Sequence, residues 1–115
     1  MAEEFRLVDR LAFMVDMIDR IDRQLDGVTA FQFGEDSNLI DSTMFRLAQI
    51  GEGAIHLPNA VTQRHPEVPW PKMRGLRNLI VHEYRKVAPA RIWDTAQDLA
   101  RLRQILVEEQ ARLDQ

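Results

Sequence analysis

Apolar residues recur every three or four positions along most of this chain, and this spacing constrains its fold more than any other feature. In the first 25 residues the apolar stripe consists of Leu7, Leu11, Met14, Ile18, Ile21 and Leu25. Such spacing places side chains on one face of an amphipathic α-helix. No segment of useful length alternates apolar and polar residues with the period of two that a half-buried strand requires. We therefore predict an all-α protein whose first helix covers 5–25.

Glycines and prolines divide the rest of the chain. The further predicted helices are a second from Asp36, Ser37 or Asn38 to Pro58, a third from Pro71 to Val81 or Tyr84, and a fourth from Pro89 to the C-terminus. Residues 27–34 break the helical pattern, and four prolines make 58–71 an irregular connection with one short turn near 61–64. Gly51 and Gly53 each cost the second helix about 1 kcal/mol relative to alanine, which predicts a close helix crossing there. The expected architecture is an antiparallel, up-and-down bundle of four to five helices.

Length and composition predict one helical domain over 1–115. A chain of 115 residues can bury roughly two thirds of its unfolded surface around one core. Cysteine is absent, which excludes disulfides, thiolate zinc sites and cysteine nucleophiles. The longest apolar runs, 11–15 and 79–81, are far shorter than the ~20 residues of a membrane helix, and the acidic start lacks a signal peptide's basic region. We therefore expect a cytoplasmic protein with no membrane partner.

Positive charge is concentrated in one segment of an otherwise acidic chain. The net charge is −3, yet residues 64–91, here called the basic segment, contain seven basic and two acidic residues. Attraction to a polyanion depends on the local field rather than on total charge. The basic segment is therefore typical of a confined phosphate-binding site, and equally of a solvated helix face with acidic neighbours.

The basic segment also contains the densest group of polar side chains. They are Arg74, Arg77, Asn78, His82, Glu83, Tyr84 and Arg85. An imidazole can take the proton from a 2′-hydroxyl of RNA or give one to the leaving oxygen, while a guanidinium stabilises charge on the phosphorane. This cleavage needs no metal, and neither a carboxylate cluster nor a histidine pair stands at ligand spacing. The residues favour RNA cleavage without a cofactor; a histidine stabilised by the helix dipole is the structural alternative.

Helix geometry separates the two residues best suited to this chemistry. Asn78 and His82 share a face, whereas Arg77 and His82 lie ~140° apart around a regular helix. They meet only if the helix loosens near His82 or if a second subunit supplies one of them. We therefore expect a homodimer whose two motifs face a shared cleft. For His56 and His65 we predict surface or packing roles.

Residues 77–84, Arg-Asn-Leu-Ile-Val-His-Glu-Tyr, resemble the Arg-x(4–6)-His-x-Tyr signature of the HepT-like group within the HEPN superfamily. The other segments that agree, in the same order as in the family, are 33–36, 46–54, 65–70 and 87–93. The resemblance therefore covers nearly the whole chain. Gly53 departs from it, because the family usually has a small residue such as alanine there.

The resemblance implies a homodimeric helical domain that acts as a metal-independent RNase toxin and is neutralised by a small nucleotidyltransferase antitoxin. Arg77 and His82 would be the catalytic pair, and Tyr84 the hydroxyl that the antitoxin adenylylates. Asn78 would orient one of the pair or bind phosphate, and Arg74 would support phosphate binding.

Glu52 and Arg46 match the family's second-helix motif, and we interpret them as a supporting ion pair or as groups that orient Arg77. Two other functions stay open. One is a non-catalytic HEPN-like module that partners a nucleotidyltransferase or binds its nucleotide substrate, and the other is an oligomerising bundle with no ligand. Cleavage of RNA by the isolated protein distinguishes the catalytic domain from the module.

Overall fold

The protein is built from helices, as the sequence predicts. A computed structural model describes the backbone of residues 2–114 and the side chains of residues 6–114, and this part of the chain contains no β-strand. The helices are α1 (Ala2–Leu25), α2 (Ala30–Gly34), α3 (Ser37–Ile55), α4 (Asn59–Arg64), α5 (Trp70–His82), α6 (Pro89–Ala96) and α7 (Ala100–Leu113). A 3₁₀ turn, Tyr84–Lys86, follows α5. The prediction of an all-α bundle is confirmed.

Helix α3 packs on α1 and α5, and α7 also packs on α1. The predicted stripe of α1 is buried in this core from Leu11 to Leu25, whereas Leu7 is only partly buried; Ile50 of α3 and Ile105 of α7 are buried with it. Asp19 of α1 and Arg103 of α7 add a two-point ion pair, with N–O distances of 2.7 and 3.2 Å. Among the described residues no helix is both long and apolar enough to span a membrane.

The predicted close crossing at the two glycines is confirmed. A Cβ atom on Gly51 would lie 2.7 Å from Cβ of Arg77 on α5, and one on Gly53 would lie 2.7 Å from Cγ of Met14 on α1. Real Cβ atoms do not approach carbon atoms so closely. The missing side chains therefore let α3 touch both neighbours, and the crossing at Gly51 places Arg77 directly against α3.

Residues 27–34, which break the apolar spacing of the first helix, contain the short helix α2 that the sequence did not predict. The side chain of Thr29 accepts a hydrogen bond from the backbone N–H of Gln32, and the side chain of Gln32 accepts one from the N–H of Thr29. This capping box stabilises a helix of five residues. The helix persists because Phe33 is buried against Trp93, with ring centroids 5.3 Å apart.

The predicted fourth helix is two helices, α6 and α7, with a break at 97–99. The reason lies in their different neighbours. Helix α6 packs on α2 and α3 through a face that includes Ile92 and Ala96, whereas α7 packs on α1. A straight helix cannot cover both surfaces, so the chain turns between them although the apolar spacing continues.

The proline-rich connection contains the short helix α4 and is fixed by a buried carboxylate on α7. Glu109 has only 2% of its side chain exposed and pairs with Nε2 of His65 at 2.8 Å and with the guanidinium of Arg64. These hydrogen bonds, led by that of Arg64, lower the pKa of Glu109 to about 2. His65 in turn accepts a hydrogen bond at its backbone carbonyl from Trp70, at 3.0 Å. The predicted packing role of His65 is confirmed.

Candidate functional site

The site begins at the crossing of α3 and α5, where Glu52 follows Gly51. One carboxylate oxygen of Glu52, Oε2, accepts a hydrogen bond from Nε of Arg77 at 2.8 Å and forms an ion pair with Nη2 at 2.7 Å. Glu52 thus contacts Arg77, as its interpretation as a group that orients Arg77 requires. Because two nitrogens of the guanidinium bind one carboxylate, the plane of Arg77 is fixed relative to α3.

Asn78 fixes the same guanidinium from its other side. Its amide oxygen accepts a hydrogen bond from Nη1 of Arg77 at 2.8 Å, so Asn78 orients Arg77, one of its two predicted roles. A guanidinium has five N–H donors, and these contacts use three of them. The remaining two, one on Nη1 and one on Nη2, are available to two oxygens of a single phosphate. The arrangement therefore presents a pre-oriented anion-binding fork on a half-buried side chain.

His56 is the residue of the site that the sequence-based prediction missed. Its Nε2 lies 2.9 Å from Oε1 of Glu52, the carboxylate oxygen that Arg77 does not use. The hydrogen bond with His56, followed by the positive charge of Arg77, lowers the pKa of Glu52. The signal was present in the sequence, because Glu52 and His56 are four residues apart and lie one above the other on a helix. We name Glu52, His56, Arg77 and Asn78 the Glu52 cluster.

His82 is the last residue of α5 and is exposed to solvent. The backbone N–H of Glu83 still bonds to the carbonyl of Leu79, at 2.8 Å, so the helix is regular up to His82. The suggestion that α5 loosens there is therefore wrong. Within one protomer, His82 points ~140° away from Arg77 around the helix axis. The structure of a single chain does not bring the two predicted catalytic residues together.

Arg46 corrects a second expectation, because it does not pair with Glu52. Six residues on a helix correspond to a rotation of ~120° between two side chains, which directs them to different neighbours. Arg46 faces α1 and donates a hydrogen bond to the side chain of Gln24. Arg74 lies one turn before Arg77 and is exposed. Arg46 is therefore part of the bundle, while Arg74 remains on the surface beside the Glu52 cluster.

Tyr84 begins the 3₁₀ turn that follows α5, with 47% of its surface exposed. Its hydroxyl donates a hydrogen bond to the carboxylate of Asp41 at the start of α3. This hydrogen bond raises the pKa of Tyr84. The ring is thus accessible, as the sequence predicts, but its hydroxyl is held by a base that the sequence did not reveal. Among residues 6–114, the site included, no three His, Asp or Glu side chains are grouped closely enough to hold a metal ion.

The position of these residues can be compared with known proteins. A family model described as ribonuclease HepT-like matches residues 14–109. The chain belongs to the HepT-like ribonuclease family. The match spans the Glu52 cluster, His82 and Tyr84, and the family resemblance inferred from the sequence is confirmed.

Individual HepT-like relatives are distant. A protein of Caldanaerobacter subterraneus subsp. tengcongensis is 32% identical over 72 residues, which cover 63% of this chain and 64% of the relative. A protein of Methanocaldococcus jannaschii is 29% identical over 89 residues, or 75% and 74% of the two chains. Both are named RNases by inference. Ribonuclease HepT is the inferred name of a Thermococcus cleftensis protein that is 35% identical over 49 residues, or 43% and 44% of the two chains. No solved structure is significantly similar to the chain.

Proposed function

We propose that this HepT-like protein is a metal-independent endoribonuclease in which Arg77 and His82 act on the scissile phosphodiester. The observation that carries the proposal is the Glu52 cluster, which holds the Arg77 guanidinium and leaves two of its N–H donors without a partner among the described residues. A guanidinium fixed before substrate arrives stabilises the growing negative charge of the phosphorane without reorganisation. His82 exchanges a proton with the 2′-hydroxyl or with the leaving oxygen.

The active enzyme is a homodimer in this proposal. Arg77 and His82 diverge on α5, so a complete site takes Arg77 from one protomer and His82 from the other. Two large apolar side chains on the same two helices support a face that a second copy covers: Phe45 on α3 is 62% exposed, and Val81 on α5 is 52% exposed. Burying them between two copies would remove apolar surface from water and bring the two α5 helices together.

The biological role in the proposal is that of a toxin with a nucleotidyltransferase antitoxin. Tyr84 is the acceptor of adenylylation, because its ring is exposed and it follows His82 by two residues in the sequence. An AMP group there adds negative charge to the basic segment and repels RNA. In the cell the protein acts on RNA in the cytoplasm.

Cleavage of RNA by the purified protein tests the catalytic proposal. We expect cleavage in the presence of a chelator, a loss of about 10²–10³-fold in kcat for Arg77→Ala, and a loss of about 10²–10⁴-fold for His82→Ala. Arg23→Ala, an exposed arginine of α1 outside the basic segment, is the matched control and keeps wild-type activity. A folded wild-type protein that leaves RNA intact would favour the non-catalytic module, and loss of activity with chelator would reveal a metal.

A further inference from the structure

His56 is the imidazole that the fold places beside Arg77. Both residues bind the carboxylate of Glu52, His56 through Oε1 at 2.9 Å and Arg77 through Oε2 at 2.8 Å. The same carboxylate therefore holds the imidazole of His56 and the guanidinium of Arg77 together at the crossing of α3 and α5. We propose that His56 is a catalytic residue, the general base that deprotonates the 2′-hydroxyl of RNA, an inference that rests on the proposed ribonuclease function.

The contact with Glu52 determines which ring nitrogen of His56 is free. An ionised carboxylate can only accept, so the hydrogen of neutral His56 is on Nε2 and is donated to Oε1. The lone pair is then on Nδ1, and no described side chain donates to that nitrogen. A carboxylate that fixes the tautomer and the orientation of an imidazole in this way prepares its second nitrogen for proton abstraction.

The other two histidines do not fit this role. His65 is buried and both its ring and its backbone carbonyl are engaged, by Glu109 and Trp70 respectively. His82 is exposed but points away from Arg77 of its own protomer. Cleavage needs two proton transfers, one from the 2′-hydroxyl and one to the leaving oxygen, and His56 and His82 supply one each.

Cleavage by the 2′-hydroxyl of RNA consumes no water and no other reactant. The proton of the 2′-hydroxyl passes to Nδ1 of His56 while the 2′-oxygen forms a bond to phosphorus, and Arg77 stabilises the phosphorane. The bond between phosphorus and the 5′-oxygen then breaks, and the protonated imidazole of His82 of the partner subunit gives its proton to that oxygen. The products are a 2′,3′-cyclic phosphate and a 5′-hydroxyl.

The charged groups closest to His56 belong to its contact with Glu52. Glu52 lies on its own helix and Arg77 on α5. On the α1 side, Arg6, Asp9 and Arg10 line a groove with Gln49 and Gly53, one turn before His56. Only removal of the imidazole therefore isolates the contribution of His56 to activity.

The experiment compares wild type with His56→Gln, because glutamine can still donate a hydrogen bond to Glu52 but cannot act as a base. We expect kcat/KM for RNA to fall by about 10²-fold or more, and external imidazole to restore part of it in His56→Ala. The matched control is Arg20→Gln, which breaks an exposed i,i+4 ion pair of the same 2.9 Å length on α1 and should cleave like wild type.

A second substrate separates a base from an acid or a spacer. With sulfur in place of the 5′-bridging oxygen, the leaving group needs no proton, so His82→Ala should regain activity while His56→Gln should not. Recovery of His56→Gln on this substrate would overturn the assignment. So would wild-type activity of His56→Gln on RNA, or an unchanged shape of its pH profile. If the wild type itself does not cleave RNA, the proposed function fails first, and that result is distinct from all of these.

Discussion

The buried carboxylate of Glu109 on α7 makes the stability of the protein sensitive to acid. Its folded pKa of about 2 lies below the ordinary value of 4.5, so its contribution to stability is complete above about pH 4.5 and is lost as the pH falls towards 2. The loss is on the order of 3 kcal/mol. We expect Glu109→Gln to be less stable than wild type at pH 7 but to lose less stability between pH 7 and pH 3.5, measured by urea denaturation.

Glu108→Gln is the control for this measurement, because Glu108 is the exposed neighbour of Glu109 on the same helix. It should follow the wild-type pH dependence. Equal acid losses in wild type and Glu109→Gln would show that the buried carboxylate does not control the transition.

Sequence spacing predicted single residues better than it predicted their partners. Arg77, Asn78 and Tyr84 stand where the motif places them, but Glu52–His56 and Asp41–Tyr84 are contacts that the motif does not contain. The first pair has a local signal, its spacing of four. The second joins residues 43 positions apart and depends on how two helices pack, which no spacing along the chain records.

Among the helices, α3 depends on a glycine whose replacement tests the crossing directly. A Cβ on Gly51 meets Cβ of Arg77 at 2.7 Å, whereas a Cβ on Gly75 of α5 meets no atom within 4 Å. We expect Gly51→Ala to destabilise the protein by about 1–3 kcal/mol and to reduce RNA cleavage by moving Arg77. Gly75→Ala, the matched control, should be stabilised by about 0.5–1 kcal/mol. If chemical denaturation finds the two variants equally stable, the helices do not touch at Gly51.

Tyr84, the first residue of the 3₁₀ turn after α5, is where we expect adenylylation to regulate the protein. After incubation with the proposed nucleotidyltransferase antitoxin and ATP, intact-mass spectrometry should find AMP on wild type and none on Tyr84→Phe. The adduct should abolish cleavage without unfolding the protein. Its phosphate adds negative charge close to His82 in the sequence and takes the place of the hydroxyl hydrogen that Tyr84 donates to Asp41. An adduct that persists in Tyr84→Phe would place the acceptor elsewhere, and an inhibited wild type without AMP would indicate occlusion by the partner protein.

Long helices could be read from apolar spacing, and short or broken ones could not. The predicted spans, 5–25 for the first helix and 71 to 81 or 84 for the third, agree with α1 and α5 to within three residues. Helix α2 is held by a capping box and by Phe33 against Trp93, a tertiary contact. The break between α6 and α7 comes from the need to cover two surfaces, although the apolar spacing continues across it.

For the molecule as a whole, complementation tests whether two chains build one site. Arg77→Ala and His82→Ala homodimers should both be inactive, but mixing them should restore about one quarter of wild-type activity, because half of the dimers are mixed and each has one complete site. Mixing Arg77→Ala with the double variant Arg77→Ala/His82→Ala is the control and restores nothing. A wild-type protein that is monomeric by light scattering at micromolar concentration would contradict the composite site.

The packing of α7 on α1 also has a consequence during synthesis. Asp19 and Arg103 join helices separated by most of the chain, so the surface of α1 that α7 covers stays open to water while translation continues. The emerging chain can make helices but cannot close its core until α7 has left the ribosome. As a ribonuclease, the protein therefore becomes able to cleave RNA only after the ribosome has translated the codons of α7 in its messenger RNA.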